Sequence, residues 1–140
     1  MEVVTERFKI STNGDSEIVD ITDRISSLLE THGFQEGSAT VFVPGSTASI
    51  TTTEFEPGLS KDIPEALERL APRSIRYHHD ETWHDGNGHA HVRAAVVGPS
   101  TTIPFSGGEL LLGTWQQIVL IDFDNRPRTR EVVVQLTGRK

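Results

Sequence analysis

Five of the six histidines, His78, His79, His84, His89 and His91, fall within 14 residues that also carry Asp80, Glu81 and Asp85. Imidazole and carboxylate hold divalent cations where thiolate is absent, and this chain has no cysteine. A divalent metal, zinc or magnesium, is the expected cofactor, with three protein groups and an open water position as the usual catalytic arrangement. Spacing constrains which histidines can cooperate. On a strand, His89 and His91 would point the same way, roughly 6–7 Å apart; on a helix about 200° separates them, and only one can face a given site.

Candidate anion-binding groups surround this cluster. Asn87 is a good helix cap, and the amides of Gly86, Asn87 and Gly88 at a helix N-terminus would form a pocket suited to phosphate. The run Asp85-Gly86-Asn87-Gly88 is equally an ordinary turn, and histidines in polar loops are often plain surface residues. Ser46, Thr47 and Ser49 could donate hydrogen bonds to phosphate, although their stretch lacks the spacing of a Walker loop. Glu54 and Glu56 alternate along an extended segment, where one buried carboxylate could act as a general base and a solvated edge explains them as well. Arg126, Arg128 and Arg130 with Asp122 and Asp124 read as a charged hairpin tip, able to grip phosphate but more commonly paired at the surface. Trp83 is expected as a packing anchor and Trp115 as core.

These residues need elements to position them. Val3 to Ile10 alternates like a strand, and Asn13-Gly14 predicts a hairpin into Glu17 to Ile21. Thr22 or Asp23 can cap a helix over 22–32, with Ile25, Leu28 and Leu29 at helical spacing and Gly33 as its stop. Ala39 to Val43 and Ser49 to Thr53 are predicted strands flanking the hydroxyl-rich turn. Ile63, Leu67 and Leu70 form the stripe of a second helix over 60–70, ending before Pro72. A third helix is predicted over 88–97, favoured by Ala90, Ala94 and Ala95 and stopped by Gly98-Pro99. The four β-prone runs Thr101 to Phe105, Glu109 to Gly113, Gln116 to Phe123 and Glu131 to Leu136 are joined by brief turns, which implies antiparallel neighbours and a C-terminal meander. The expected class is α+β, with sandwich-like antiparallel sheets and two to three α-helices.

Composition bounds the function. A length of 140 residues predicts one domain over 1–140. Twenty acidic against 13 basic side chains give a net charge of −7, which disfavours a nucleic-acid partner. The longest apolar run, Ile118 to Ile121, is far too short for a bilayer, and Met1 to Ile10 has no signal-peptide core. No membrane association and a cytoplasmic location are expected.

The segments Tyr77-His78-His79-Asp80, Trp83, Asp85-Gly86-Asn87-Gly88-His89-Ala90-His91 and Arg93-Ala94, with Leu112-Gly113-Thr114-Trp115-Gln116-Gln117-Ile118 and Phe123-Asp124, resemble the YjbQ-like family, also called the secondary thiamine-phosphate synthase family. The resemblance covers nearly the whole chain. It implies a compact α+β homotrimer with His79, His89 and His91 as metal ligands or active-site imidazoles, and Asp80, Asp85 and Glu54 as catalytic carboxylates. Thr47 and Ser49, with Gly86, Asn87 and Gly88, would then bind a small phosphorylated substrate. The implied activity joins a pyrimidine diphosphate to a thiazole phosphate; a metal-dependent phosphoester hydrolase and a non-catalytic metal- or metabolite-binding protein are the alternatives. Gly45 departs from the pattern, since many relatives carry histidine there.

Overall fold

A computed structural model describes residues 1–140. In chain order the elements are β1 (Glu2–Thr12), β2 (Glu17–Asp20), α1 (Thr22–His32), β3 (Glu36–Phe42), β4 (Ala48–Thr53), α2 (Leu59–Leu70), α3 (His78–Trp83), α4 (Gly88–Val97), β5 (Ser100–Ser106), β6 (Glu109–Leu110), β7 (Gln117–Asp122) and β8 (Arg128–Arg139). The class is α+β, as read from the sequence. All strand pairs are antiparallel and form two sheets, one ordered β1-β8-β3-β5-β6 and the other β2-β7-β4.

Strand β7 explains the layering. Ile118 and Leu120 enter the main core of 16 buried residues, while Val119 and Ile121 enter a second cluster of six with Leu67, Ala90, Ala94 and Phe123. Successive strand residues point to opposite faces, so a strand covered on both faces reads as a continuous apolar run. The small sheet therefore lies between the large sheet with α1 on one side and α2 with α4 on the other. Ile25 and Leu29 of α1 are completely buried in the main core, and Gly33 ends that helix in the left-handed conformation (φ 71°) that the sequence anticipates. Residues Asp122 to Arg130, where β7 crosses into β8, form the floor of the site described below.

Three expectations change. Asn13-Gly14 does not make a hairpin: β1 pairs with β8 in one sheet and β2 with β7 in the other. The turn is instead a corner between sheets, with Asp15 and Ser16 both at positive φ (55° and 65°) and their amides donating to the Asp124 and Asp122 carbonyls at 2.7 Å. The meander is likewise divided, because β5 and β6 are neighbours but β7 moves to the small sheet and β8 returns to the large one. Trp115 is 72% exposed rather than core, since it lies in the turn before β7 and the inward positions begin at Ile118. A fourth helix, α3, forms within the histidine-rich loop. No helix is long and apolar enough to cross a membrane.

Candidate functional site

The histidine-rich segment is folded back on itself by its own backbone. His84 (φ 58°) and Gly86 (φ 68°) turn α3 towards the start of α4. Gly88 then lies so close to Tyr77 that a Cβ would stand 2.5 Å from the Tyr77 Cβ, so only glycine fits. The Gly88 amide donates to Asp80 Oδ1 at 3.0 Å. The anion expected at the amides of Gly86, Asn87 and Gly88 is therefore supplied from within: Asp80 caps α4, where a carboxylate complements the helix dipole.

This fold-back assembles four polar side chains. His79 Nε2 stands 3.3 Å from Asp85 Oδ1, and the His79 and His91 rings are 4.2 Å apart between centroids. One end of the Asn87 amide is 3.1 Å from His79 Nε2 and 2.9 and 3.2 Å from the two Asp85 oxygens. Which end of an amide is oxygen follows from the network it serves. An oxygen at this end would face only acceptors, so the network puts the nitrogen here, donating to His79 Nε2 and to Asp85. Burial, then the charge of His79, pushes the His91 imidazole below its ordinary pKa, which keeps it neutral and able to ligate at neutral pH. Ligand atoms of His79, Asp80 and Asp85 also lie within 4.8 Å of one another.

Beneath this group lies a charged network that the sequence reading assigned to the surface. Asp122 and Asp124 are 0% exposed and Arg130 only 8%. Arg130 donates to both Asp122 oxygens (2.7 and 2.8 Å) and to Thr47 Oγ1 (2.7 Å), and Arg128 donates twice to Asp124 Oδ2 (3.0 and 2.7 Å). Thr47 Oγ1 passes its own proton to Asp124 Oδ2 at 3.0 Å. Burial alone would raise the Asp124 carboxyl, but hydrogen bonds from Arg128, the Asn125 amide and Thr47 outweigh it and hold the pKa at about 2. Asp122 is lowered in the same way: burial opposes the shift, and Arg130, Thr12 and the Asp124 amide prevail. The spacing Asp122-x-Asp124 and Arg128-x-Arg130 is that of one strand face, a signal available in the sequence once the strand is known to be buried.

The pocket between these layers has a volume of about 400 Å³ and gathers His79, His91, Asp85, Asn87 and Thr47 from the anticipated set. It adds Gly45, Ser46, Trp83, Arg128 and Arg130. Trp83 is 70% exposed on its rim, not a packing anchor, because α3 has no buried residue to anchor. A larger hollow of about 630 Å³ between α1 and the β5–β6 turn has neither imidazole nor guanidinium in its lining.

Several anticipated residues lie elsewhere. His89 points away from His91, as helical geometry requires; it is 1% exposed beside Tyr77, and its Nε2 has no hydrogen-bond partner. Burial first, then Arg93, depresses its pKa. Ser49 Oγ donates to the Ala94 carbonyl at 3.3 Å, joining β4 to α4. Glu54 is exposed at the far end of β4, roughly 20 Å along the strand from Ala48. Gly86 is exposed outside the pocket, and Gly88 is occupied by Asp80. His78 is exposed, with its side chain 92% accessible, and His84 is exposed as well.

Comparisons with known proteins agree on a single family. The model of the family described as UPF0047 protein YjbQ-like matches residues 6–139. A UPF0047 protein of Archaeoglobus fulgidus is 40% identical over 119 residues, covering 85% of this chain and 90% of that protein. The UPF0047 protein Rv2556c of Mycobacterium tuberculosis is 42% identical over 115 residues, covering 82% and 84%. Among solved structures, hypothetical protein APE1520 of Aeropyrum pernix superposes with a TM-score of 0.90 at 34% identity, covering 99% of this chain and 100% of its own. A YbjQ-like protein of unknown function from Sulfolobus solfataricus gives 0.88 at 31% identity, with the same coverage. These findings overturn the expected thiamine-phosphate synthase and transferase activity: the relatives are UPF0047 proteins, and the solved neighbours are described as hypothetical or of unknown function, so none supports it. With residues 6–139 matched by the family model and a relative 40% identical over 85% of its length, the chain belongs to the UPF0047, YjbQ-like family.

Proposed function

We propose that the protein binds a divalent cation together with a small phosphorylated metabolite in the pocket between α3, α4 and the Gly45–Thr47 loop. The observation that carries this reading is the convergence of one imidazole and two carboxylates: ligand atoms of His79, Asp80 and Asp85 lie within 4.8 Å of one another. His79 Nε2 and Asp85 Oδ1 stand 3.3 Å apart, with the Asn87 amide beside them as a donor to both. Metal bonds of about 2.1 Å place neighbouring ligands about 3.0 Å apart in an octahedron and about 3.4 Å apart in a tetrahedron. The His91 ring packs against His79 at the edge of this group. An imidazole in the donor set favours zinc over magnesium, which prefers oxygen ligands and retained water. A bound cation would supply positive charge to the oxygens of an anionic partner. A cytoplasmic location goes with this reading, since phosphorylated metabolites are at hand there.

Titration calorimetry of zinc into chelator-treated protein is the test. One ion per chain is expected for the wild type, with uptake lost in His79→Ala and Asp85→Asn while circular dichroism keeps its native form. Equal uptake by wild type and both folded variants would overturn the reading.

A further inference from the structure

Arg130 leaves part of its guanidinium unused. Its Nε and Nη2 are committed to Asp122 and Thr47, whereas Nη1 donates to no protein group and is not enclosed. It faces the pocket beside Gly45, where an added Cβ would come within 3.3 Å of Nη1. A side chain at position 45 would crowd the opening that glycine leaves in front of this nitrogen. Arg128 repeats the arrangement: Nε and Nη2 serve Asp124, and Nη1 has no protein partner. A second observation concerns the backbone. The amides of Gly45, Ser46 and Thr47 donate to no acceptor in the protein, although Thr47 is 3% exposed. Buried N–H groups are nearly always paired with protein, water or ligand. The Thr47 hydroxyl is consumed between Arg130 and Asp124, so any part it plays toward a ligand falls to its amide.

We infer that the free Nη1 atoms of Arg130 and Arg128, with the Gly45–Thr47 amides, form a seat for a phosphate-type oxyanion beside His79 and Asp85. Fixed guanidinium forks and successive backbone amides are the donors that match tetrahedral oxyanions. Each arginine is already balanced by one aspartate, so the seat offers directed donors and little net charge. Without metal it binds inorganic phosphate weakly; a cation held by His79 and Asp85 adds the missing charge and tightens it. Only that gain rests on the cation reading above, while the seat itself does not.

The experiment follows the amide signals of the ¹⁵N-labelled full chain as inorganic phosphate is added, first after chelator treatment and then with zinc. Expected are saturable shifts of Gly45, Ser46 and Thr47 in the millimolar range without metal, and at least about tenfold tighter binding with it. Arg130→Lys retains a charge for Asp122 but lacks the fork, and the half-exposed Arg128→Gln safeguards against misfolding of the buried variant; each should weaken phosphate binding about tenfold with a native amide spectrum. Absence of shifts at all three amides, with or without zinc, would overturn the seat, as would undiminished affinity in folded Arg128→Gln. Shifts that appear without zinc and gain nothing from it uphold the seat and refute the cation beside it.

Discussion

The pocket has two sides built on opposite principles. Its floor, buried Asp122, Asp124 and Arg130 with half-exposed Arg128, grows from β7 and β8, with every carboxylate oxygen paired. Its wall, from His78 to Asn87, is a six-residue helix without a buried side chain, followed by a turn through positive φ at His84 and Gly86. A floor of this kind is fixed by folding, because removing one member strands a buried charge. The wall is held by a few hydrogen bonds and can adjust around a ligand at small cost. The proposed cation ligands lie on the adaptable side and the proposed oxyanion donors on the rigid side.

This contrast orders the consequences of substitution. Asp122→Ala leaves Arg130 buried and unpaired, so urea denaturation should show a loss of about 3–5 kcal/mol. A loss below 1 kcal/mol would mean that the floor is not structural. Acid should find the same weak point. The Asp124 pKa of about 2, against an ordinary 3.8, gives stability that is fully present above about pH 4 and lost as pH falls towards 2. The term is about 2 kcal/mol, and Asp124→Asn should flatten the urea midpoint over that window.

On the wall, His79→Ala should reduce zinc affinity roughly 100-fold, above what an outer-shell partner contributes, while moving stability by no more than about 0.5 kcal/mol. His89→Leu should have the smallest effect. It removes a buried nitrogen without a partner, so stability should stay within about 1 kcal/mol or improve, with zinc uptake unchanged. Because burial lowers the folded pKa of His89, the wild type loses stability as pH falls below the ordinary 6.5, and the variant should lose less. Loss of zinc binding in His89→Leu would place this imidazole back among the ligands.

Local signals carried the sequence reading far in some places and not in others. The helix over 22–32 was legible because apolar spacing and Gly33 act within one element, and the helix over 88–97 for the same reason. From that helix alone it follows that His89 and His91 cannot share a site. Asn13-Gly14 marked a turn, but a turn does not say which strand pairs with which, and here β1 and β2 find partners 99 to 136 residues away. The Asp and Arg pairs were visible as spacing, yet their burial depends on β7 being covered on both faces. Residue type suggests a packing anchor in Trp83 and core in Trp115, whereas α3 and the turn before β7 place both in solvent.

The central claim is most directly tested by an anomalous-diffraction map from a crystal grown with zinc. One ion is expected at about 2.0–2.2 Å from His79 Nε2 and from carboxylate oxygens of Asp85 and Asp80. An ion-free pocket at saturating zinc would contradict it.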